Sequence, residues 1–288
     1  MNFLPKDLRK YIPIKAVQNP PPLVGVIRLR GVIGAVGPMR SGMTLESLAP
    51  TLEKTFSLKR LQAVALIINS PGGSPVQSAL IAQRIRDLSQ EKKVPVLAFV
   101  EDAAASGGYW LACAADQIYV NESSIVGSIG VASQGFGFTE LIQKIGVERR
   151  VQTAGSNKNM LDPFEPRKSE DMEHLKGILN ELHESFKSEV RRQRVGRLKA
   201  SEDELFTGAF WTGRRAVELG LVDGIAEARS ELRKRFGDKV RLRGFQQQDS
   251  WLRRRLKAQA GGLPGTADLA HGLLDAAETR ALWARYGL

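Results

Sequence analysis

The chain has 288 residues, of which 42% are hydrophobic and 25% charged, with a formal net charge of +11. That balance excludes whole-chain disorder and fits one large globular domain or two small ones. A single cysteine, Cys113, excludes an intramolecular disulfide and favours a reducing compartment, and with three scattered histidines it leaves no structural zinc site and no metal or cofactor to expect.

The opening stretch, MNFLPKDLRKYIPIKAVQNPPP, is charged and proline-rich, without an apolar core of signal-peptide length. No run of about 18 uncharged apolar residues occurs, so no membrane-spanning helix is expected. LVGVIRLRGVIG (23–34) reads as strand and turn, and AVALIINS (63–70) as a strand buried on both faces. The next segment begins a helix: Ser74 is the N-cap, Pro75 takes the first turn and Gln77 completes a capping box. Ala79, Leu80, Ile81, Ile85 and Leu88 supply its apolar face. VPVLAFV (94–100) is a second buried strand, SGGYWLACAAD looks helical, and IYV (118–120) is a short strand. Cys113 falls inside that helical run and reads as a small core residue.

The alternation of strand and helix predicts an α/β fold around a largely parallel sheet. SIVGSIGV (124–131) is punctuated by glycines, FTELIQKIG predicts a short helix, and VERRVQT (147–153) a strand. A long charged amphipathic helix covers 168–193, and GAFWTGRRAVELGLVDGI (208–225) is a turn and a helix ending at Gly220. Beyond about residue 240 the chain is basic, then broken by glycine and proline, then helical again. Residues 239–257 hold seven Lys or Arg and one Asp, so +6 of the net +11. They read as a solvated basic tail, with contact to a membrane surface through Trp251, Leu252 and the arginines as the competing use. No basic and aromatic stacking array accompanies them, so nucleic acid is not an expected partner.

Two strand-to-helix junctions carry glycine pairs, NSPGGS and AASGGY, about 34 residues apart. Sites in such folds lie beyond the carboxyl ends of the strands. Ser106, directly before Gly107 and Gly108, is placed there as a candidate nucleophile, against the plainer alternative of a tight packing turn. A serine needs a base. His174, His183 and His271 lie in segments that look like exposed helices, which makes a Ser-His-Asp triad a poor fit. A lysine can serve where burial lowers its pKa toward neutrality. Lys158 stands out, in the Gly/Ser/Asn loop TAGSNKNMLDPF after the expected strand, although a solvated loop lysine is the plain alternative. The amides of Gly107 and Gly72 are candidate oxyanion donors. Gly73 and Gly108, the second glycine of each pair, are where a substrate backbone could come close.

INSPGG (68–73), DAAASGGYWLACAAD (102–116), VGSIGV (126–131) and WTGRRAVELGLVD (211–223) closely resemble the signal peptide peptidase A family. These are the protease IV-like serine peptidases, on the Clp-protease/crotonase fold of repeated ββα units. The resemblance covers about residues 22–235. It implies a Ser-Lys dyad, with Ser106 the nucleophile and Lys158, 52 residues downstream, the base. It maps the oxyanion donors onto Gly72 and Gly107 and suggests Ser128, in GSIG, as the residue that orients the lysine. It also implies extended apolar peptide substrates such as remnant signal peptides, and a homo-oligomeric ring with sites near subunit interfaces. The organisation expected is an N-terminal arm over 1–21, a peptidase domain over 22–238 and a basic, partly helical extension over 239–288.

The chain departs from the family in showing no N-terminal membrane anchor and a single catalytic unit, so the expected location is cytoplasmic or peripheral at the inner membrane. Two other readings stay open. One is a crotonase-like acyl-CoA enzyme, for which Asp102 is the only carboxylate at the ASGGY junction. The other is an inactive ring-forming scaffold on membranes.

Overall fold

The computed structural model describes residues 20–36, 40–245, 277 and 279–288. Its centre is a sheet in the order β10-β1-β4-β5-β6-β9, formed by β1 (Leu23–Arg30), β4 (Leu61–Ser70), β5 (Val96–Ala105), β6 (Gln117–Val120), β9 (Gly224–Ile225) and β10 (Arg241–Gly244). Every pairing along that path is parallel. β7 (Ile125–Gly127) pairs in parallel with the last residues of β5, and β8 (Phe210–Thr212) adds to β7 antiparallel. A small hairpin of β2 (Ala35–Val36) and β3 (Arg40–Ser41) stands apart from the sheet.

The central strands β4 and β5 are buried on both faces over most of their length, which is why they read as continuous apolar runs rather than as alternating ones. One face, with Ile27, Leu66, Ile68 and Ala98, packs under α1 (Leu45–Phe56), α2 (Pro75–Lys92), α3 (Gly107–Cys113) and α5 (Ser169–Gln193). The other, with Val24, Ala65, Ile67 and Phe99, packs under Leu232 of α8 (Ala228–Phe236). α6 (Glu202–Leu205) and α7 (Gly213–Glu218) close the first layer. The long helix is held to the body partly through Arg194, which is 2% exposed and bonds Gly220 O and Asp223.

Several details differ from the sequence expectation. β5 does not stop at Val100 but runs through Ala103–Ala105, because those residues pair with β7. The Ser74 side chain caps α2 as expected, accepting from Gln77 N–H, a contact worth about 1 kcal/mol. The Gln77 side chain does not reach back to it, however; it accepts from Leu45 N–H at 2.8 Å and ties α2 to α1. Leu80 turns outward rather than into the core. Residues 147–153 form no strand, since no neighbour offers them a ladder, and they are exposed. Arg241–Gly244, read as part of a solvated tail, add a strand to the edge of β1. His271 and most of the basic segment, from 246 onward, lie outside the described residues.

Candidate active site

The two glycine-bearing junctions meet at the carboxyl ends of β4 and β5. β5 leads without a break into Ser106, whose backbone takes φ 52° and ψ −123°. A non-glycine residue held there stores about 1–3 kcal/mol of strain and persists only where its surroundings fix it. Its N–H donates to Gly127 O at 2.8 Å, and its carbonyl accepts from the N–H groups of Tyr109 and Trp110 at 2.9 and 3.1 Å. α3 then anchors the turn: Tyr109 and Leu111 are fully buried, Tyr109 donates from its hydroxyl to Leu221 O at 2.6 Å, and Trp110 stacks on Phe186. Burying a side chain such as Leu111 contributes roughly 1.5–3 kcal/mol. The Ser106 side chain makes no capping hydrogen bond and stays half-buried, which leaves its hydroxyl available to a reactant.

The NSPGG turn lies against this serine. A Cβ on Gly72, whose φ is +104°, would stand 2.8 Å from Ser106 Cβ and 2.9 Å from both Ala105 O and Gly107 N, so only glycine fits. The two amides of the turn are engaged differently. The Gly72 amide donates to Ser70 Oγ at 3.2 Å, and that hydroxyl donates to Gly31 O at 2.7 Å. The amide of Gly73, one residue on and exposed, has no acceptor among the described residues. Nor does that of Gly107, because the first N–H groups of a helix lack an intrahelical acceptor. Gly73 N lies 3.4 Å from the position of a Gly107 Cβ, so the open amides are neighbours. Gly108, by contrast, is buried with its α-carbon against the Ser70 carbonyl, where it lets α3 pack closely on β4.

Ser128 is brought to the same place. It is buried, follows the residue whose carbonyl accepts from Ser106, and takes φ 53° while its N–H donates to Ala209 O. Its hydroxyl lies 3.3 Å from that of Tyr286, a residue the sequence analysis did not single out. Lys158 is not brought there. It stands exposed on a turn, its N–H donating to Gly155 O, with no hydrogen bond or ion pair at its ammonium among the described residues. Phe136, 83% exposed, and Ile145, 63% exposed, belong to the same arm, 131–167, together with the helix α4 (Thr139–Lys144).

The other candidates fall into structural roles. His174 is exposed, whereas His183 is half-buried with Nε2 at 3.0 Å from Ile129 O, so it is not the free surface residue expected. Asp102 accepts from the Asn69 side chain at 2.5 Å, and Asn69 in turn accepts from Ala103 N–H. That pairing stitches β4 to β5 and engages the Asp102 carboxylate. Cys113 is wholly buried, and burial pushes its thiol up to about 12, as befits a core residue. No group of three or more His, Cys, Asp or Glu among the described residues could hold a metal ion.

A strained serine at a strand-to-helix turn, faced by open amides, has the arrangement of a hydrolase that works by acyl transfer. Residues 88–239 match peptidase family S49, and the chain belongs to that family. It is 51% identical over 294 residues to a Brucella abortus (strain 2308) protein named "Na(+)/H(+) antiporter NhaA", covering 99% of this chain and 39% of that one. It is 31% identical to "Serine protease SPPA, chloroplastic" of Arabidopsis thaliana, over 70% of this chain and 30% of that one. "Protease 4" of Haemophilus influenzae (strain ATCC 51907 / DSM 11121 / KW20 / Rd) is 30% identical, over 80% of this chain and 36% of that one. The chain thus spans about two fifths or less of the length of these relatives. A solved mutant of the 1510-N membrane-bound stomatin-specific protease aligns with a TM-score of 0.48 at 17% identity, over 78% of this chain and 98% of that one.

Proposed function

We propose that the chain is a serine endopeptidase that cuts extended apolar peptides with a Ser-Lys dyad completed between copies of itself. The observation that carries this is the junction at Ser106: a strained serine with an uncommitted hydroxyl, pressed against Gly72 and next to the amides of Gly73 and Gly107. In the reaction, the free amine of Lys158 takes the Ser106 proton as Oγ attacks the peptide carbonyl. The amides of Gly107 and Gly73 hold the oxyanion. The lysine ammonium gives its proton to the leaving nitrogen as the C–N bond breaks, then the amine draws a proton from water, which attacks the acyl-enzyme. The proton returns to Ser106 Oγ. Ser128 is the residue proposed to orient the amine.

Lys158 is exposed in the single chain, on an arm that displays Phe136, Leu141, Ile145 and Val147 to solvent. Exposed apolar patches of this kind mark association surfaces. The proposal is therefore that the arm packs on a neighbouring copy and delivers its lysine to that copy's serine. Expected remnant-peptide substrates are apolar, and Val76 and Leu80, on the helix that follows the glycine turn, expose apolar surface. Peripheral attachment to an anionic membrane belongs to the same proposal, supported by exposed Arg241 and Arg243 in the basic segment; co-sedimentation with anionic vesicles tests it. Among the described residues no helix is long and apolar enough to cross a membrane. The chain covers 39% of the Brucella relative, whose ion-transport name is therefore not carried over. Acyl-CoA chemistry is disfavoured by the engagement of Asp102 with Asn69.

The test is hydrolysis of apolar fluorogenic peptides by wild type, Ser106→Ala, Lys158→Ala and an equimolar mixture of the two variants. Each variant alone should be inactive. The mixture should regain about a quarter of wild-type activity, since half the copies keep Ser106 and half of their neighbours keep Lys158. A silent mixture with active wild type would refute the shared site. Wild type that is assembled but inert toward every peptide would favour the scaffold.

A further inference from the structure

The residues at 279–288 return to the site from far along the chain. Within them one side chain is singled out. Tyr286 is 8% exposed, while Arg285, Gly287 and Leu288 on either side are exposed. Its ring meets Phe210 edge-on, with centroids 5.0 Å apart and planes at 80°. Its hydroxyl donates toward Pro71 O at 3.5 Å and lies 3.3 Å from Ser128 Oγ.

Those two partners locate the phenol. Pro71 precedes Gly72, whose Cβ position is 2.8 Å from Ser106 Cβ. Ser128 follows Gly127, whose carbonyl accepts the Ser106 N–H at 2.8 Å. Tyr286 therefore bridges the two segments that flank the nucleophile and takes up the hydroxyl of Ser128. A group that approached Ser106 between those two segments would compete with the tyrosine for the Ser128 hydroxyl and the Pro71 carbonyl. A rigid aromatic ring is an efficient anchor, since few rotatable bonds are frozen on docking. A segment tethered to its own chain competes at an effective concentration in the millimolar range.

We propose that residues 279–288 form a self-inhibitory strap, in which Tyr286 fills the slot beside Ser106 and must leave before the site turns over. This rests on the peptidase reading above. It is tested on the full chain with Tyr286→Ala and Tyr286→Phe, by three measurements: hydrolysis of a short apolar fluorogenic peptide, the rate at which a fluorophosphonate labels Ser106, and amide hydrogen exchange. Tyr286→Ala should raise kcat/KM and the labelling rate together, by about tenfold or more, given the tethered competitor it releases. Exchange at 283–288 and at 127–129 should accelerate. Tyr286→Phe, which keeps the ring against Phe210, should fall between Ala and wild type. Unchanged exchange in Tyr286→Ala would show that the ring does not hold the strap and would overturn the proposal. Faster exchange with unchanged hydrolysis and labelling would overturn it as well, by showing a strap that docks without blocking. Faster exchange in a chain that neither cleaves nor labels in any form would instead bring down the peptidase reading, and inhibition with it, while leaving the docking in place.

Discussion

Two regions of this molecule carry the two halves of the proposed dyad, and they are built in opposite ways. Around Ser106, residues 103–105 and 107–113 are buried, and the backbone of the serine is bonded on both sides. Around Lys158, every residue from 143 to 158 is exposed. The arm is held mainly by its own contacts, such as Arg149 with Asp162 and Phe138 against Phe164. Strain can be stored only where packing enforces it, and the first region is where the strained backbone of Ser106 lies. A base that must act as a free amine gains from exclusion of water, which the arm does not provide within one chain. The contrast teaches that folding holds the serine in place while leaving the lysine in solvent, which is why the proposed dyad calls on a second copy.

The largest expected effect tests the prepared half. Ser106→Ala should lower peptide hydrolysis by roughly 10⁴-fold or more. Its melting temperature should stay close to wild type, because the hydroxyl makes no hydrogen bond that folding depends on. A large loss of stability would mean that the serine is a packing residue.

A pair of glycines compares the two regions directly. Gly72 and Gly155 have nearly equal φ, +104° and +102°. An added Cβ meets Ser106, Ala105 and Gly107 within 3 Å in the first case and nothing within 4 Å in the second. Gly72→Ala should destabilise by about 2–4 kcal/mol and suppress activity, whereas Gly155→Ala should cost about 1 kcal/mol from backbone strain alone. Chemical denaturation of both variants checks this. Equal losses would remove the distinction between a crowded junction and an open arm.

The buried half was the more legible of the two in the sequence, and the reason is local. Continuous apolar runs announce β4 and β5, and Ser74-Pro75 announces α2, because burial and capping act over a few residues. Ala103–Ala105 were missed as strand because alanine has little strand preference and pairing with β7 decides the matter. The strand at Arg241–Gly244 was readable in the alternation of Val240, Leu242 and the arginines, but its charge outweighed its period. The opposite error put a strand at 147–153, where the pattern was present and the partner was not. Nothing local in the sequence separates the Gly72 and Gly73 amides; the difference between them comes from the Ser70 hydroxyl, which accepts from the Gly72 amide. Tyr286 meets Ser128 across 158 residues, a separation at which no local pattern informs.

Cys113 offers a test by pH. Its thiol is pushed up to about 12 by burial, whereas in an unfolded chain it ionises near 8.5. Above that lower value the unfolded state loses a proton that the folded state keeps, so this group's contribution makes stability fall as pH rises. The slope approaches about 1.4 kcal/mol per pH unit. Cys113→Ala should be less stable than wild type at pH 7, by about 1 kcal/mol for the small cavity. The gap should narrow and then reverse between pH 9 and about 11. A constant gap would show that the thiol is not sealed in the folded state, and the junction helix α3 would then be less rigid than its burial implies.

The smallest expected effect separates peptidase from acyl-CoA chemistry on the same fold. Asp102 sits at the junction, but its carboxylate holds the Asn69 amide, and Asn69 accepts from Ala103 N–H. Asp102→Ala leaves the Asn69 amide without its partner, a loss of about 1 kcal/mol that should appear in the melting temperature. The effect on peptide hydrolysis should stay below about fivefold, because the carboxylate transfers no proton in the dyad mechanism. A general acid or base deleted from its site costs about 10²–10⁴-fold. A drop of that size, restored by no change of temperature that refolds the variant, would put Asp102 in the chemistry. The contrast between a prepared serine and an imported lysine would then give way to a site complete within one chain.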